Sequence, residues 1–350
     1  MKKSISICLL AVVFANLFAQ EKDSVVYYTK YQDKFVVGLQ QASQKFTFVF
    51  TQKNIEDTTN SSLIDYNAEA NITTGLTLAW EKIAFTLNLR TTPPEFSKKK
   101  GQTEYRNLRL AIGGNKWLAE TSYRRFKGFY ELQSSRLQAD SLYNPDEPYF
   151  LNPSMENRDI KGKFFYFTNH QKFSYKAAYN GVHRQLKTAF SPVITANVHY
   201  QMLATDSTFI TPLAQLYWPV EKDIYKINFT SASVGGGLAG TMVILKKIYI
   251  NALLTINMEN QFRTYYEHGL NPYKLTYISF SGDFRGSIGY NSDRFYVMAY
   301  AMNDSYSIRR YRNLITSSFI TGGLTFGYRF QVKERPILEK IKSSKIFNLI

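Results

Sequence analysis

The segment Ile320 to Phe330, ITGGLTFGYRF, is compatible with few folds. Its even positions are Ile320, Gly322, Leu324, Phe326, Tyr328 and Phe330; its odd positions are Thr321, Gly323, Thr325, Gly327 and Arg329. Successive side chains of a strand point to opposite faces. One face here is apolar and aromatic, and the other is small or polar. That is a strand with oil on one side and water on the other, closing in an aromatic girdle.

The pattern recurs along the chain. Ile83, Phe85, Leu87 and Leu89 oppose Lys82, Ala84, Thr86, Asn88 and Arg90. Ile248, Ile250, Ala252, Leu254, Ile256 and Met258 oppose Lys247, Tyr249, Asn251, Thr255 and Asn257. Ile72 to Trp80 alternates likewise, Phe46, Phe48 and Phe50 mark a further strand, and Ile194 to Met202 another. Period two over about ten residues is the signature of a spanning strand. No apolar run after residue 20 reaches the ~18 residues a spanning helix needs. The fold expected is an all-β antiparallel transmembrane barrel with an even number of strands, twelve to fourteen.

Connections sort into short and long. The short ones are Glu81-Lys82, Gly113 to Asn115, Asn169 to Gln171, Thr205 to Ser207, Ile244 to Lys246 and Asn291-Ser292. The long ones are Lys53 to Asp65, Thr92 to Thr103, Gly128 to Asp159, Arg184 to Pro192, Pro219 to Asp223, Glu259 to Pro272 and Asn303 to Ser317. They alternate, as external loops and periplasmic turns do. With Lys34 to Thr51 as one strand and Phe209 to Trp218 as another, the count is fourteen. The longest loop, Gly128 to Asp159, exceeds a plain connection and reads as functional or folded inward.

Residues 1–20 read as a secretory signal, with Lys2 and Lys3 before an apolar core and a cut near Ala19-Gln20. Residues 21–33 then form a periplasmic segment, 34–330 the barrel, and 331–350 a basic periplasmic tail. The single cysteine, Cys8, lies in the signal, so the mature chain offers no disulfide, thiolate nucleophile or zinc-cysteine site. Removing Lys2 and Lys3 from 43 basic residues leaves 41 against 27 acidic ones, a balance of +14. The basic residues are scattered rather than clustered on a helix, which argues against nucleic acid as a partner.

Lys82, Arg90, Arg109, Lys176, Arg184, Lys187, Lys247 and Arg329 are the candidate basic lumen residues. Singly they read as charges paired across the barrel. Summed, they read as a positive lumen or rim for a small anionic solute or for lipopolysaccharide phosphates. Phe326, Tyr328 and Phe330 are the candidate assembly signal, to be read by the barrel-assembly machinery. His170, His183, His199 and His268 show no metal-ligand spacing, so neither a metal site nor a cofactor is expected. A serine hydrolase would need Ser174 or Ser191 beside His183 or His199, with an acid behind. Gly235 to Gly237 with Gly240 lacks the strand-to-helix context of a phosphate loop.

The segment SYKAAYNGVHRQLKTAFSP, Ser174 to Pro192, resembles a hallmark of the Bacteroidota family known as domain of unknown function 4421. YRRFKGFY (Tyr123 to Tyr130), DSTFITP (Asp206 to Pro212), IGYNSDRFYV (Ile288 to Val297) and FGYRF (Phe326 to Phe330) are similar to that family too. The resemblance spans roughly residues 27 to 330. It implies an exported outer-membrane barrel and implies no reaction. The expected role is a small channel or a structural and interaction barrel; the competing readings are a lipid-acting outer-membrane hydrolase and a soluble exported β-sandwich.

Overall fold

In the computed structural model, residues 25–53, 61–93, 99–132, 149–215, 218–310, 313–332 and 343 are described. Twelve antiparallel strands close into one barrel. In chain order they are β2 (Lys34–Lys53), β3 (Ser61–Trp80), β4 (Ile83–Arg90), β5 (Glu104–Gly113), β6 (Trp117–Leu132), β7 (Tyr149–Phe167), β9 (Ala189–Ala204), β10 (Ile224–Ile244), β11 (Ile248–Glu267), β12 (Tyr273–Asn291), β13 (Phe295–Arg310) and β14 (Asn313–Gln331). Each pairs with its sequence neighbour, and β14 closes on β2 with Phe330 opposite Phe35. Two short strands, β1 (Tyr28–Lys30) and β8 (His183–Gln185), pair only with each other.

The count is twelve among the described residues, even and at the lower end of the expected twelve to fourteen. Two segments that alternate in sequence are not strands. Phe173, Tyr175, Ala177 and Tyr179 have period two, yet Tyr175–Tyr179 forms a short helix, α1, whose residues are all buried. Burial on every side removes the one-faced requirement that alternation reflects. Gly181, at φ +68°, ends the turn after it. Phe209 to Trp218 also fails as a strand. Pro212 opens a 3-10 turn, and Phe209, Ile210 and Trp218 fold inward. As a result, the expected turn at Asn169 to Gln171 and the expected external loop Arg184 to Pro192 are one inward-folded connection between β7 and β9.

Both described chain ends lie at one end of the barrel, with the tight turns; call it the near end. At the far end the strands overrun the expected loops. β11 and β12 continue to Glu267 and from Tyr273, and β13 and β14 to Arg310 and from Asn313. Most strands have 16 to 21 residues, whereas a tilted spanning strand needs about ten. Residues 133–148 of the expected loop, the expected signal and nearly all of the expected tail lie outside the described residues.

The surplus length explains an inversion of polarity. On β2 near the near end, Phe35 and Leu39 face out while Gln40 and Gln44 face in. Towards the far end, Lys45 and Thr47 face out while Phe46, Phe48 and Phe50 are buried inside. β3 follows the same rule. Leu76 and Trp80 are on the outer face below, whereas Ile64, Tyr66 and Ala68 are inside above. A bulge at Asn71-Ile72, opposite the step from Ala42 to Gln44, shifts the parity of β3 without breaking its ladder. The barrel is therefore oil-out below and oil-in above.

Candidate functional site

The lumen is filled in three layers. At the far end, Phe46, Phe48, Phe50, Tyr66, Phe126 and Phe319 pack with Phe209 and Trp218 from the connection between β9 and β10. The rings of Phe46 and Phe319 stack at 4.4 Å, and Phe48 meets Phe50 edge-on at 5.0 Å. Each buried ring removes on the order of 150–250 Å² from water. This layer is a closed hydrophobic core.

Beneath it lies a buried ion network. Arg124 donates to Asp159 at 2.8 Å and to Asp304 at 2.9 Å. Lys163 pairs with Asp304 at 2.6 Å and with Asp283, which Lys161 also reaches at 3.3 Å. Arg285 pairs with Glu120 at 2.7 Å. His199 meets Asp159 through Nε2. The cations Arg124, Lys161, Lys163 and Arg285 thus face the carboxylates Asp159, Asp283, Asp304 and Glu120. Balanced charge makes this layer a set of cross-braces and removes the summed positive field at this level.

The third layer is a plug at the near end, built from residues 168–188 and the N-terminal segment. Tyr175 of α1 donates to Glu120 at 3.1 Å, joining the plug to the ion network. Lys176 donates to the carbonyls of Glu81, at 2.8 Å, and Gly113, one at each of two tight turns. Asn115 bonds the carbonyl of Phe173 at 2.7 Å. Arg184 pairs with Asp293 at 2.9 Å, and Tyr31 donates to the same carboxylate at 2.8 Å. That hydroxyl bond, with Arg184 beside it, holds the Asp293 carboxyl below its usual range. Burial, with Lys82 and Lys30 nearby, lowers Lys176 to about 7.

The basic candidates scatter over this frame instead of lining a channel. Lys176, Arg184 and Arg329 hold the plug in place. Lys82 and Lys247 lie in tight turns, and Lys187 is exposed at the near end. Arg90 bonds the carbonyl of Thr103 at 2.6 Å. Arg109 faces a lumen cavity of about 40 Å³ with Gln40, Asn88, Asn107 and Tyr300, room for a few waters. A second cavity of about 70 Å³ lies between the plug and the turns, lined by Lys30, Lys82, Lys176 and His183. The assembly candidates Phe326, Tyr328 and Phe330 face outward on β14.

Ser174 does meet His183, Oγ to Nδ1, at 2.7 Å. The serine is fully buried, and no carboxylate bonds this histidine among the described residues. Burial, then Lys176, Lys30 and Arg329, holds His183 well below its ordinary pKa, so it is a neutral plug residue. His199 has its acid in Asp159 but is sealed in the ion layer. Ser191 instead bonds the backbone N–H of Asn169.

The ion network is what sequence reasoning missed. Its signal was available: Asp159, Lys161 and Lys163 recur at every second position. The expected loop to Asp159 hid the start of that strand.

A family model describes the whole barrel and the segment before it, residues 21–330. The chain belongs to the family described as Domain of unknown function (DUF4421). The segment Ser174 to Pro192, which carries the resemblance noted above, forms α1, β8 and the return into β9, most of the plug. No curated protein matches the chain. Among solved structures it is similar to the outer membrane protease OmpT of Escherichia coli, at 6% identity and a TM-score of 0.39, covering 86% of this chain and 98% of that one. It is also similar to the beta domain of the Bordetella autotransporter BrkA, at 11% and 0.34, covering 83% and 99%. A third is the COG4313 outer membrane channel of Pseudomonas putida F1, at 9% and 0.33, covering 89% and 100%. The architecture of this chain is itself a closed antiparallel barrel of twelve strands among the described residues.

Proposed function

We propose that this protein is a closed, non-conducting barrel of the outer membrane of a member of the Bacteroidota, with a structural or interaction role. The near end is periplasmic on this reading, and the inverted far half stands above the outer leaflet. The observation that carries it is the threefold filling of the lumen by aromatic core, balanced ion network and plug. A channel needs a continuous wet path. Here an apolar layer and cross-lumen ion pairs interrupt it. Lipopolysaccharide is the lipid partner outside, and the barrel-assembly machinery reads the outward aromatics of β14.

The test combines extraction and conductance. The folded protein should stay in membranes through carbonate washing and run anomalously on gels until boiled. In planar bilayers it should give no steady conductance. Removal of residues 170–187 should still give none, because the aromatic layer remains. A stable ohmic pore in the intact protein would overturn the reading.

A further inference from the structure

On the outer wall, three arginines sit side by side in the strand register. Arg106 of β5 lies opposite Arg125 of β6, and Arg125 lies opposite Arg158 of β7. All three occupy outward positions. The outward row below them is Leu108, Tyr123, Ile160 and Tyr200, also directly paired. Below that come Leu110 and, one row further, Ile112 and Phe164. The arginine row therefore marks the upper edge of the apolar band on this wall.

The row above contains Glu104, Lys127 and Glu156. Arg125 pairs with both glutamates, at 3.4 Å to Glu104, and Arg158 pairs with Glu156 at 2.7 Å. Four cations thus face two carboxylates. Arg106 makes no ion pair among the described residues and is exposed. The patch keeps a net positive charge directly over acyl-chain depth.

We infer that this row binds the phosphate of a phosphorylated glycolipid in the outer leaflet. Such a lipid carries its phosphate at the sugar headgroup, immediately above its chains. A guanidinium presents a planar fork of donors that matches phosphate oxygens in a way lysine cannot. Leu108, Ile160 and the two tyrosines supply the apolar and amphipathic wall the chains would lie along. Arg125, held by two glutamates, is fixed in place, while Arg106 and half-exposed Arg158 flank it. The inference rests on the outer-membrane reading above and names the lipid that this wall takes.

The test uses full-length mature protein in neutral detergent, titrated with bisphosphorylated lipid A and with chemically dephosphorylated lipid A. The wild type should prefer the phosphorylated lipid by about tenfold or more, since each surface arginine near an anionic headgroup changes binding by about fivefold. The variant R106Q/R125Q/R158Q should lose that preference. The control K226Q/K274Q, altered on the outer face of β10 and β12, should keep it. If the triple variant does not reach the heat-modifiable folded form, R106Q/R158Q replaces it, since this pair leaves Arg125 with its glutamates. Equal binding of both lipids by the wild type overturns the inference, as does an unchanged preference in the folded variant. Loss of preference in the lysine control also overturns it. Carbonate extraction of the wild type would instead remove the outer-membrane reading, whatever the titration gives.

Discussion

Arg329, on the last strand, donates through Nε to the carbonyl of Gly181 in the plug, 2.6 Å away. The same guanidinium donates to Asn291 at 2.7 Å, in the hairpin that ends β12. One side chain therefore ties the closing strand, a near-end hairpin and the plug. The tie requires Gly181 itself. Its φ is +68°, and a Cβ there would lie 2.2 Å from the ring of Tyr296.

Gly181→Ala should therefore loosen the plug. The left-handed conformation and the ring contact together predict a loss of about 1–3 kcal/mol. The measurement is protease cleavage within residues 168–188 of the folded protein, which should become faster while the barrel still migrates as a heat-modifiable band. Cleavage at the wild-type rate would show that the tie is dispensable.

Asp283 serves two buried lysines, so Asp283→Asn should be severe. Removing one partner of a buried pair strands the others, at a cost of about 3–5 kcal/mol. Asp283→Leu combined with Lys161→Met should recover at least half, because Lys163 still has Asp304 at 2.6 Å. Refolding midpoints in urea, with detergent held constant, compare the variants. A double variant as unstable as the single one would mean the network acts through shape rather than charge.

The plug should tighten with rising pH. Lys176 is held at about 7 by burial, with Lys82 and Lys30 beside it. Unfolded, a lysine titrates near 10.4. Between these values the unfolded form binds more protons, so stability rises with pH over that window and is lowest below about 7. His183, also lowered by burial and neighbouring cations, adds to the loss at acidic pH. Both bonds of Lys176 to carbonyls can survive deprotonation, because a neutral amine keeps two N–H donors. Hydrogen-exchange protection factors for residues 172–188 should be greater at pH 9 than at pH 6. Lys176→Met should flatten the change between pH 7 and pH 9. Equal protection at both pH values in the wild type would count against this.

Phe330→Ala should lower the amount of protein inserted in the outer membrane, whereas deletion of residues 333–350 should do less. Phe330 is outward, half-exposed, and meets Tyr328 edge-on at 4.8 Å. Quantitative blotting of the heat-modifiable band reads the effect. Equal amounts for wild type and Phe330→Ala would remove Phe330 from the assembly signal.

Alternation was legible wherever one side of a strand meets oil and the other does not. Ile320 to Phe330 and Ile248 to Met258 show it, and both lie in the barrel with the expected face outward. Period two reports that the two sides differ, but not which side is inside. Phe46, Phe48 and Phe50 were legible as a strand, yet they point into the lumen because β2 outruns the apolar band. Phe173 to Tyr179 carried the same period and became a helix, because the barrel already surrounds it and no side is left to prefer.

Charge was legible as a total and not as a location. The sequence by itself determined a closed antiparallel barrel, since only closure satisfies every backbone group of alternating strands in an apolar layer, and its alternating short and long connections determined an even strand number. Tertiary structure alone decided how the lumen is filled. Arg124 of β6 meets Asp304 of β13, and Tyr175 of the plug meets Glu120, across separations of 180 and 55 residues. Such pairs depend on barrel closure and register, and no local pattern in the chain encodes them.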